Sequence, residues 1–226
     1  DLFGWFGSTL DAKDEAKRLR TERDELRTQV VDGRAALAEN AKLRKMLGME
    51  RKLGLASWEP VTGTVIGRSP GIWFATVQVD VGSSDGLEVN QPVLDGEGVV
   101  GTISAVTTGT AVVTLITDRS SGVSAKILGI GDPGSVVAAE GDPGMLEMRL
   151  LTPGSKARIG DQIVTAGSRS GALASLFPPD LPVGRVSAVD PDRLRSEGTV
   201  SVKPQADLNR LETVTILTAN PSGGSQ

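Results

Sequence analysis

The chain has 226 residues, with 24 Lys and Arg, 28 Asp and Glu, and no His, Cys or Tyr. Without His or Cys it has no imidazole base, no thiolate nucleophile and no nitrogen or sulfur ligand for zinc, and disulfides are impossible. This excludes Ser-His-Asp and Cys-His catalytic sites. The net charge of −4 argues against a general nucleic-acid binder, and with aromatics at only 3% the core must be aliphatic.

The composition changes near residue 54. All 12 prolines lie at or after Pro60, and residues 11–52 carry 12 Lys and Arg against 9 Asp and Glu, a net charge of +3. The rest of the chain carries 12 against 19, a net charge of −7, which restores the total of −4. We therefore predict a membrane-proximal segment (1–9), a coiled-coil helix (10–53), a first β-barrel (58–130), a second β-barrel (131–218) and a flexible tail (219–226).

The charged first part predicts one long helix. Its apolar residues follow a heptad pattern and form the predicted self-association face: Leu19, Leu26, Val30, Leu37 and Leu47. Four residues unsuited to a coiled-coil core fall on the a or d positions of this pattern: Arg23, Gly33, Asn40 and Arg44. They predict a coiled coil of modest stability, and a solvated single helix is the alternative.

Aromatic residues cluster just before this helix. Leu2, Phe3, Trp5 and Phe6 are typical of a membrane interface beside a spanning segment, although a disordered tail with chance aromatics explains them equally well. No apolar run approaches the roughly 18 residues of a membrane span. Because the chain begins at Asp1 and not at Met, we expect it to be processed or partial.

The second part predicts a mainly β fold. Short runs rich in Val, Ile and Thr alternate with Gly, Pro, Asp and Ser turns, as in a barrel or sandwich. The runs are Val61–Ile66, Phe74–Asp80, Ala111–Thr117, Val123–Leu128, Ser135–Glu140, Met145–Leu151, Gln162–Thr165, Thr199–Lys203 and Thr213–Leu217. We expect small barrels of this kind to expose strand edges suited to β-augmentation by a partner.

An internal repeat predicts two related barrels. Residues 90–94 align with 161–165 at an offset of 71, and 100–106 align with 183–189 at an offset of 83. The second copy therefore has a connection 12 residues longer, within Ala166–Pro182. The repeat favours contiguous barrels, but an exchange in which the final strand completes the first barrel stays open.

The longer connection predicts a partner-binding loop. Its candidate contact residues are Phe177, Pro178, Leu181 and Pro182, because prolines stiffen a loop and lower the entropic cost of binding. In the alternative interpretation, Phe177 plugs the open end of the second barrel.

No motif predicts catalysis, a metal site or a cofactor. Residues 129–134 fit G-x-G-x-x-G, but Pro133 and the β-branched run that follows indicate a turn. Asp190 and Asp192 are more simply turn residues than a catalytic carboxylate pair. Ser155 and Lys156 are adjacent and would point to opposite faces of a strand.

A series of short motifs in order resembles the rod shape-determining protein MreC family over residues 40–218. It begins with Asn40-Ala-Lys-Leu-Arg-Lys-Met-Leu47, which is similar to the family's N-x-x-L-R-x-x-L. It continues through Val65-Ile-Gly-Arg-Ser-Pro70, Gly98-Val-Val-Gly101, Val113-Thr-Leu-Ile-Thr-Asp118, Gly160-Asp-Gln-Ile-Val-Thr165, Leu181-Pro-Val-Gly184 and Val202-Lys-Pro-Gln-Ala-Asp-Leu208. Ala166 departs from the Ser that the family usually has.

The resemblance implies a single-pass envelope protein with a membrane helix upstream of Asp1 and this chain on the extracytoplasmic side. It implies a non-enzymatic scaffold of cell-wall elongation that forms dimers or filaments. The implied partners are MreD, a class B penicillin-binding transpeptidase and, indirectly, MreB filaments. The alternatives are a cell-wall hydrolase and a coiled-coil/β adaptor of a membrane transport complex.

Overall fold

A computed structural model describes Arg23, Gly48 and residues 58–69, 75–152, 154–167 and 176–218. These residues contain twelve strands: β1 Pro60–Arg68, β2 Thr76–Val79, β3 Pro92–Leu94, β4 Val99–Val106, β5 Ala111–Leu115, β6 Gly122–Ile127, β7 Pro133–Ala138, β8 Leu146–Arg149, β9 Gln162–Thr165, β10 Pro182–Ala188, β11 Val200–Pro204 and β12 Thr213–Leu217. Apart from Arg23 and Gly48, the predicted helix lies outside the described residues.

The strands close into two six-stranded antiparallel barrels. The first has the order β1-β12-β3-β4-β5-β2, and the second has β10-β11-β8-β7-β6-β9. The mainly β prediction with two barrels is thus confirmed. Each described strand has a neighbour on both sides. The expectation of free edges for β-augmentation is therefore wrong, since closure pairs the strands of each barrel among themselves.

The two barrels share one pattern of strand neighbours. Strands β1, β2, β3, β4 and β5 occupy the positions that β7, β8, β9, β10 and β11 occupy in the second barrel, and β12 corresponds to β6. The aligned repeat segments coincide with β3 and β9, and with β4 and β10. The extra 12 residues lie in the β9–β10 connection, which has 16 residues (166–181) where β3–β4 has four (95–98).

The barrels do not divide the chain at residue 130. Strand β6, at Gly122–Ile127, pairs with β7 and β9 and so belongs to the second barrel. Strand β12 pairs with β1 and β3 and completes the first barrel. The boundaries 58–130 and 131–218 therefore need correction, because β6 forms a hairpin with the next strand, β7, and β12 pairs with β1 at the far end of the chain. The exchange left open by the sequence is present in the structure.

The core is aliphatic, and glycines at equivalent positions of β4 and β10 permit close strand packing. A Cβ at Gly101 in β4 would lie 1.9 Å from the carbonyl oxygen of Thr114 in β5. At Gly184, the equivalent position in β10, a Cβ would lie 2.4 Å from the carbonyl oxygen of Lys203 in β11. The Val-Gly pair that marks the repeat thus has the same steric cause in both copies.

A short helix that the sequence analysis did not identify joins β10 to β11. Helix α1, Pro191–Glu197, begins at Asp190, whose carboxylate accepts the N–H groups of Asp192 and Arg193, and it ends at Gly198 with φ of 62°. This is turn and cap chemistry, as expected for Asp190 and Asp192. Among the described residues, no helix has the length and apolar character needed to span a membrane.

Candidate functional site

A groove of about 860 Å³ lies between the two barrels. Arg68, Thr76 and Glu97 line it from the first barrel, and Met145 of the β7–β8 connection and Lys203 of β11 line it from the second. The groove carries charges of both signs beside apolar side chains. Such a mixed lining suits recognition of a polypeptide segment.

Arg68 of β1 lines the groove and donates hydrogen bonds to the β11–β12 connection. Its guanidinium donates to the carbonyl oxygens of Leu208 at 2.9 Å and Leu211 at 3.0 Å. Both leucines are buried. The connection that leads back to the first barrel is therefore fixed by the Arg68 hydrogen bonds and by the packing of these two side chains.

The barrels touch directly beside this groove. A Cβ at Gly98, in the β3–β4 turn, would lie 2.4 Å from the carbonyl oxygen of Pro182 and 3.2 Å from Cβ of Gln205. The turn itself is built by Asp95, whose carboxylate accepts the N–H groups of Glu97 and Gly98, both at 2.7 Å. Any side chain at position 98 would therefore push against the second barrel.

The residues proposed for partner binding lie at this junction, three of them in the β9–β10 connection and Pro182 at the start of β10. Phe177 is 5% exposed and Leu181 is fully buried; Pro178 is buried, and Pro182 is half-buried. The Thr165 hydroxyl donates to the carbonyl of Pro178 and accepts the N–H of Leu181 at 3.0 Å. These positions support the alternative in which Phe177 covers the end of the second barrel.

A buried carboxylate that the sequence analysis missed anchors helix α1 to β8. Glu147 accepts hydrogen bonds from Arg149 at 2.9 Å and from Arg193 at 3.0 Å. Burial by itself would raise the pKa of Glu147, but the hydrogen bonds and charges of the two arginines outweigh it and hold that pKa below its ordinary value. An acidic residue inside an apolar strand was the available sequence signal.

The remaining candidates are the coiled-coil residues, a metal site and the Ser155–Lys156 pair. The self-association residues Leu19, Leu26, Val30, Leu37 and Leu47 lie outside the described residues. Within the described part of the chain, no group of three or more acidic side chains is placed to hold a metal. Ser155 accepts the N–H of Ala157 at 3.4 Å, which is a local turn contact.

Comparison with curated proteins finds cell shape-determining relatives. The chain is 28% identical over 221 residues to the cell shape-determining protein MreC of Listeria monocytogenes, covering 96% of this chain and 72% of the relative. It is 31% identical over 179 residues to the Escherichia coli protein of the same name, covering 79% of this chain and 46% of that relative. The chain therefore spans less than half of the Escherichia coli relative.

Solved structures of the same fold are also found. The MreC crystal structure from Pseudomonas aeruginosa has a TM-score of 0.62 and 29% identity, over 70% of this chain and 98% of that one. A periplasmic domain described as that of the cell shape-determining filament MreC has a TM-score of 0.57 and 26% identity, over 70% and 96%. MreC from Helicobacter pylori, in complex with penicillin-binding protein PBP2, has a TM-score of 0.54 and 18% identity, over 71% and 98%, and shows likeness of fold alone.

A family model for the barrel core of rod shape-determining protein MreC matches residues 65–218, more than half of the chain and nearly all of both barrels. The match includes β12, the strand that returns to the first barrel. On this match, the chain belongs to the MreC family of cell shape-determining proteins.

Proposed function

We propose that this chain is the extracytoplasmic part of a non-enzymatic envelope scaffold, which self-associates and organises peptidoglycan synthases to maintain rod cell shape. The observation that carries the proposal is the family match across both barrels. The chain's lack of His and Cys fits a role in binding better than one in hydrolysis.

The partner we propose first is a class B penicillin-binding transpeptidase. The support is the structural neighbour from Helicobacter pylori, which is a complex between PBP2 and MreC. We further propose MreD and a second copy of this chain as direct partners, and MreB filaments as an indirect one. Self-association would use Leu19, Leu26, Val30, Leu37 and Leu47.

The β9–β10 connection remains our proposed partner-binding loop. Because Phe177 and Leu181 are buried, we assign them the role of anchors that hold the loop in shape, together with Pro178 and Pro182. Leu176 is exposed next to them and could touch a partner directly. A rigid loop of this kind binds at a lower entropic cost.

The proposed location is the extracytoplasmic face of the cell membrane, with a membrane helix upstream of Asp1. A structural neighbour that is the major periplasmic domain of its own MreC supports this location. This location would place the predicted charged helix and the two barrels outside the lipid.

Crosslinking from cell envelopes, with the membrane-anchored form as bait, tests the scaffold role. We expect recovery of the transpeptidase and MreD. Binding of the purified transpeptidase to Lys203→Glu and to Arg195→Glu then tests the groove, because Lys203 lines it and Arg195 on α1 does not. Recovery of transporter components would contradict the scaffold proposal and favour the adaptor alternative. Peptidoglycan hydrolysis by the pure chain would contradict it in favour of the hydrolase.

A further inference from the structure

The groove between the barrels has the size of a ligand-binding site. Its volume of about 860 Å³ falls within the roughly 300–1,000 Å³ that is typical of ligand pockets. Such pockets occur preferentially where two domains meet, as the two barrels do here at Gly98 and Pro182. This size suits a ligand of a few residues and excludes a folded domain as the occupant.

Two opposite charges in this groove have no ionic partner in the described part of the chain. Lys203 of β11 makes no ion pair with a described residue, and the carboxylate of Asp207 accepts only the N–H of Asn209, at 3.2 Å. The two side chains also do not pair with each other. Elsewhere in the second barrel such charges do pair, as Lys126 does with Asp180 at 2.8 Å. The groove therefore presents a separate cation and a separate anion to a ligand.

Neutral polar side chains in the groove are also available to a ligand. Four of them make no side-chain hydrogen bond with another described residue: Thr76, Thr117, Gln205 and Asn209. A hydroxyl or an amide both donates and accepts, so each of these side chains can pair with a peptide N–H or C=O. An extended peptide offers both of these groups along its backbone.

The apolar part of the lining is aliphatic. It consists of the buried side chains of Val77, Leu115 and Leu208, with Met145 half-buried beside them. None of the described lining residues is aromatic, so this part of the groove offers no stacking surface for a nucleobase. The lining therefore favours a peptide with small aliphatic side chains over a nucleotide.

The groove carries two charges of each sign. The first barrel contributes Arg68 and Glu97, while β11 and the connection after it contribute Lys203 and Asp207. A ligand of a single sign would be repelled by two of these four groups, whereas a zwitterion has a group to match each sign. We infer that the groove binds a short zwitterionic peptide, with a carboxylate at Lys203 and an ammonium group at Asp207.

This inference rests on the proposed scaffold function and names a ligand for it. The peptide branches of peptidoglycan are a few residues long, carry carboxylates and contain alanine side chains. When a transpeptidase joins two branches, the free amine of one becomes an amide and loses its positive charge. A groove that needs the ammonium group would therefore bind uncross-linked branches, the substrate of that reaction, in preference to cross-linked ones.

The test is calorimetric titration of the full chain with a synthetic L-Ala-γ-D-Glu-L-Lys-D-Ala-D-Ala peptide whose N-terminus is acetylated. We expect saturable binding that is weakened about 10-fold or more in Lys203→Gln and in Asp207→Asn, because each variant loses a charge-assisted hydrogen bond. Acetylation of the lysine amine should weaken binding by a similar factor and cause no further loss in Asp207→Asn. Arg195→Gln and Asp192→Asn, on helix α1 and outside the groove, are the matched controls and should bind normally.

The inference is overturned if the peptide shows no saturable binding at millimolar concentration, or if both groove variants bind it as tightly as the unaltered chain. Equal weakening in the α1 controls, or equal affinity for the peptide with an acetylated lysine, would also overturn it. If the peptide fails to bind while Lys203→Glu abolishes transpeptidase binding, the groove is a protein-docking site instead.

The envelope crosslinking experiment separates this inference from the scaffold role. Recovery of the transpeptidase and MreD without peptide binding would refute the peptide site and leave the scaffold proposal standing. Peptide binding that depends on Lys203 and Asp207, without that recovery, would support the peptide site and contradict the scaffold role.

Discussion

The two barrels have the same strand neighbours but are built from the chain in different ways. The second uses six consecutive strands, β6 to β11, whereas the first uses β1 to β5 and takes its sixth strand, β12, from the end of the chain. Pro60 pairs with Leu217, so the first barrel closes only across a separation of 157 residues. The second barrel is thus an insertion in the first, and the long separation makes closure of the first entropically more costly while the second is unfolded.

Removing β12 should produce the largest difference between the barrels. A chain ending at residue 212 leaves the first barrel with five strands, and we expect it to lose most of its stability, on the order of 5 kcal/mol or more. The second barrel keeps all six strands. Hydrogen exchange measured by mass spectrometry should show lost protection in β1 and β3 and retained protection in β7 and β8.

The control for this truncation is a chain ending at residue 218, which retains every described strand. Equal loss of protection in both barrels of the shorter chain would show that they unfold as one unit. The comparison between an inserted and an interrupted barrel would then fail.

Phe177→Ala should be the next largest effect and should act through the second barrel. Phe177 is buried in the core, so the substitution should cost about 3–5 kcal/mol. Leu176→Ala, at the exposed neighbouring position, should leave the melting temperature nearly unchanged. A melting temperature unaffected by Phe177→Ala, with weakened partner binding, would restore Phe177 as a direct contact.

Substitution of the equivalent glycines in β4 and β10 compares how tightly the two barrels are packed. Gly101→Ala and Gly184→Ala should each cost about 1–3 kcal/mol, with the larger cost at Gly101, where the carbonyl contact is shorter. Gly122→Ala meets nothing within 4 Å and is the control. Chemical denaturation measures all three, and a larger cost at Gly184 would mean that the second barrel is the more tightly packed.

The smallest expected effect is the pH dependence that Glu147 gives to the second barrel; the repeat alignment places Thr76 at the equivalent position of the first barrel. The pKa of Glu147 is lowered in the folded chain, so its ionised form contributes stability above the ordinary Glu pKa. That contribution falls as the pH drops through the lowered value. Glu147→Gln should flatten this dependence, and an unchanged profile of unfolding free energy between pH 3 and 6 would contradict it.

Most of the strands were predictable because their signal is local. The alternation of β-branched residues between Gly and Pro turns identified nine runs, and the repeat located β3, β4 and β10. Helix α1 was missed because its seven residues are too few to show a period, although Asp190, Pro191 and Gly198 carry its cap signals. The anchor Glu147 was missed because its partner Arg193 lies 46 residues away.

The sequence by itself determined the family resemblance, the aliphatic β fold, the duplication and the absence of His and Cys chemistry, since each depends on residue types and short spacings. Only the tertiary structure decided which barrel receives β6 and β12. The pairing of Ala125 in β6 with Thr165 in β9, and above all that of Pro60 in β1 with Leu217 in β12, joins segments too far apart in the chain to leave a local pattern. It also decided that Phe177 is buried and that Leu150 is exposed. Both are apolar residues in connections, and only the packing of other strands against them determines which is covered.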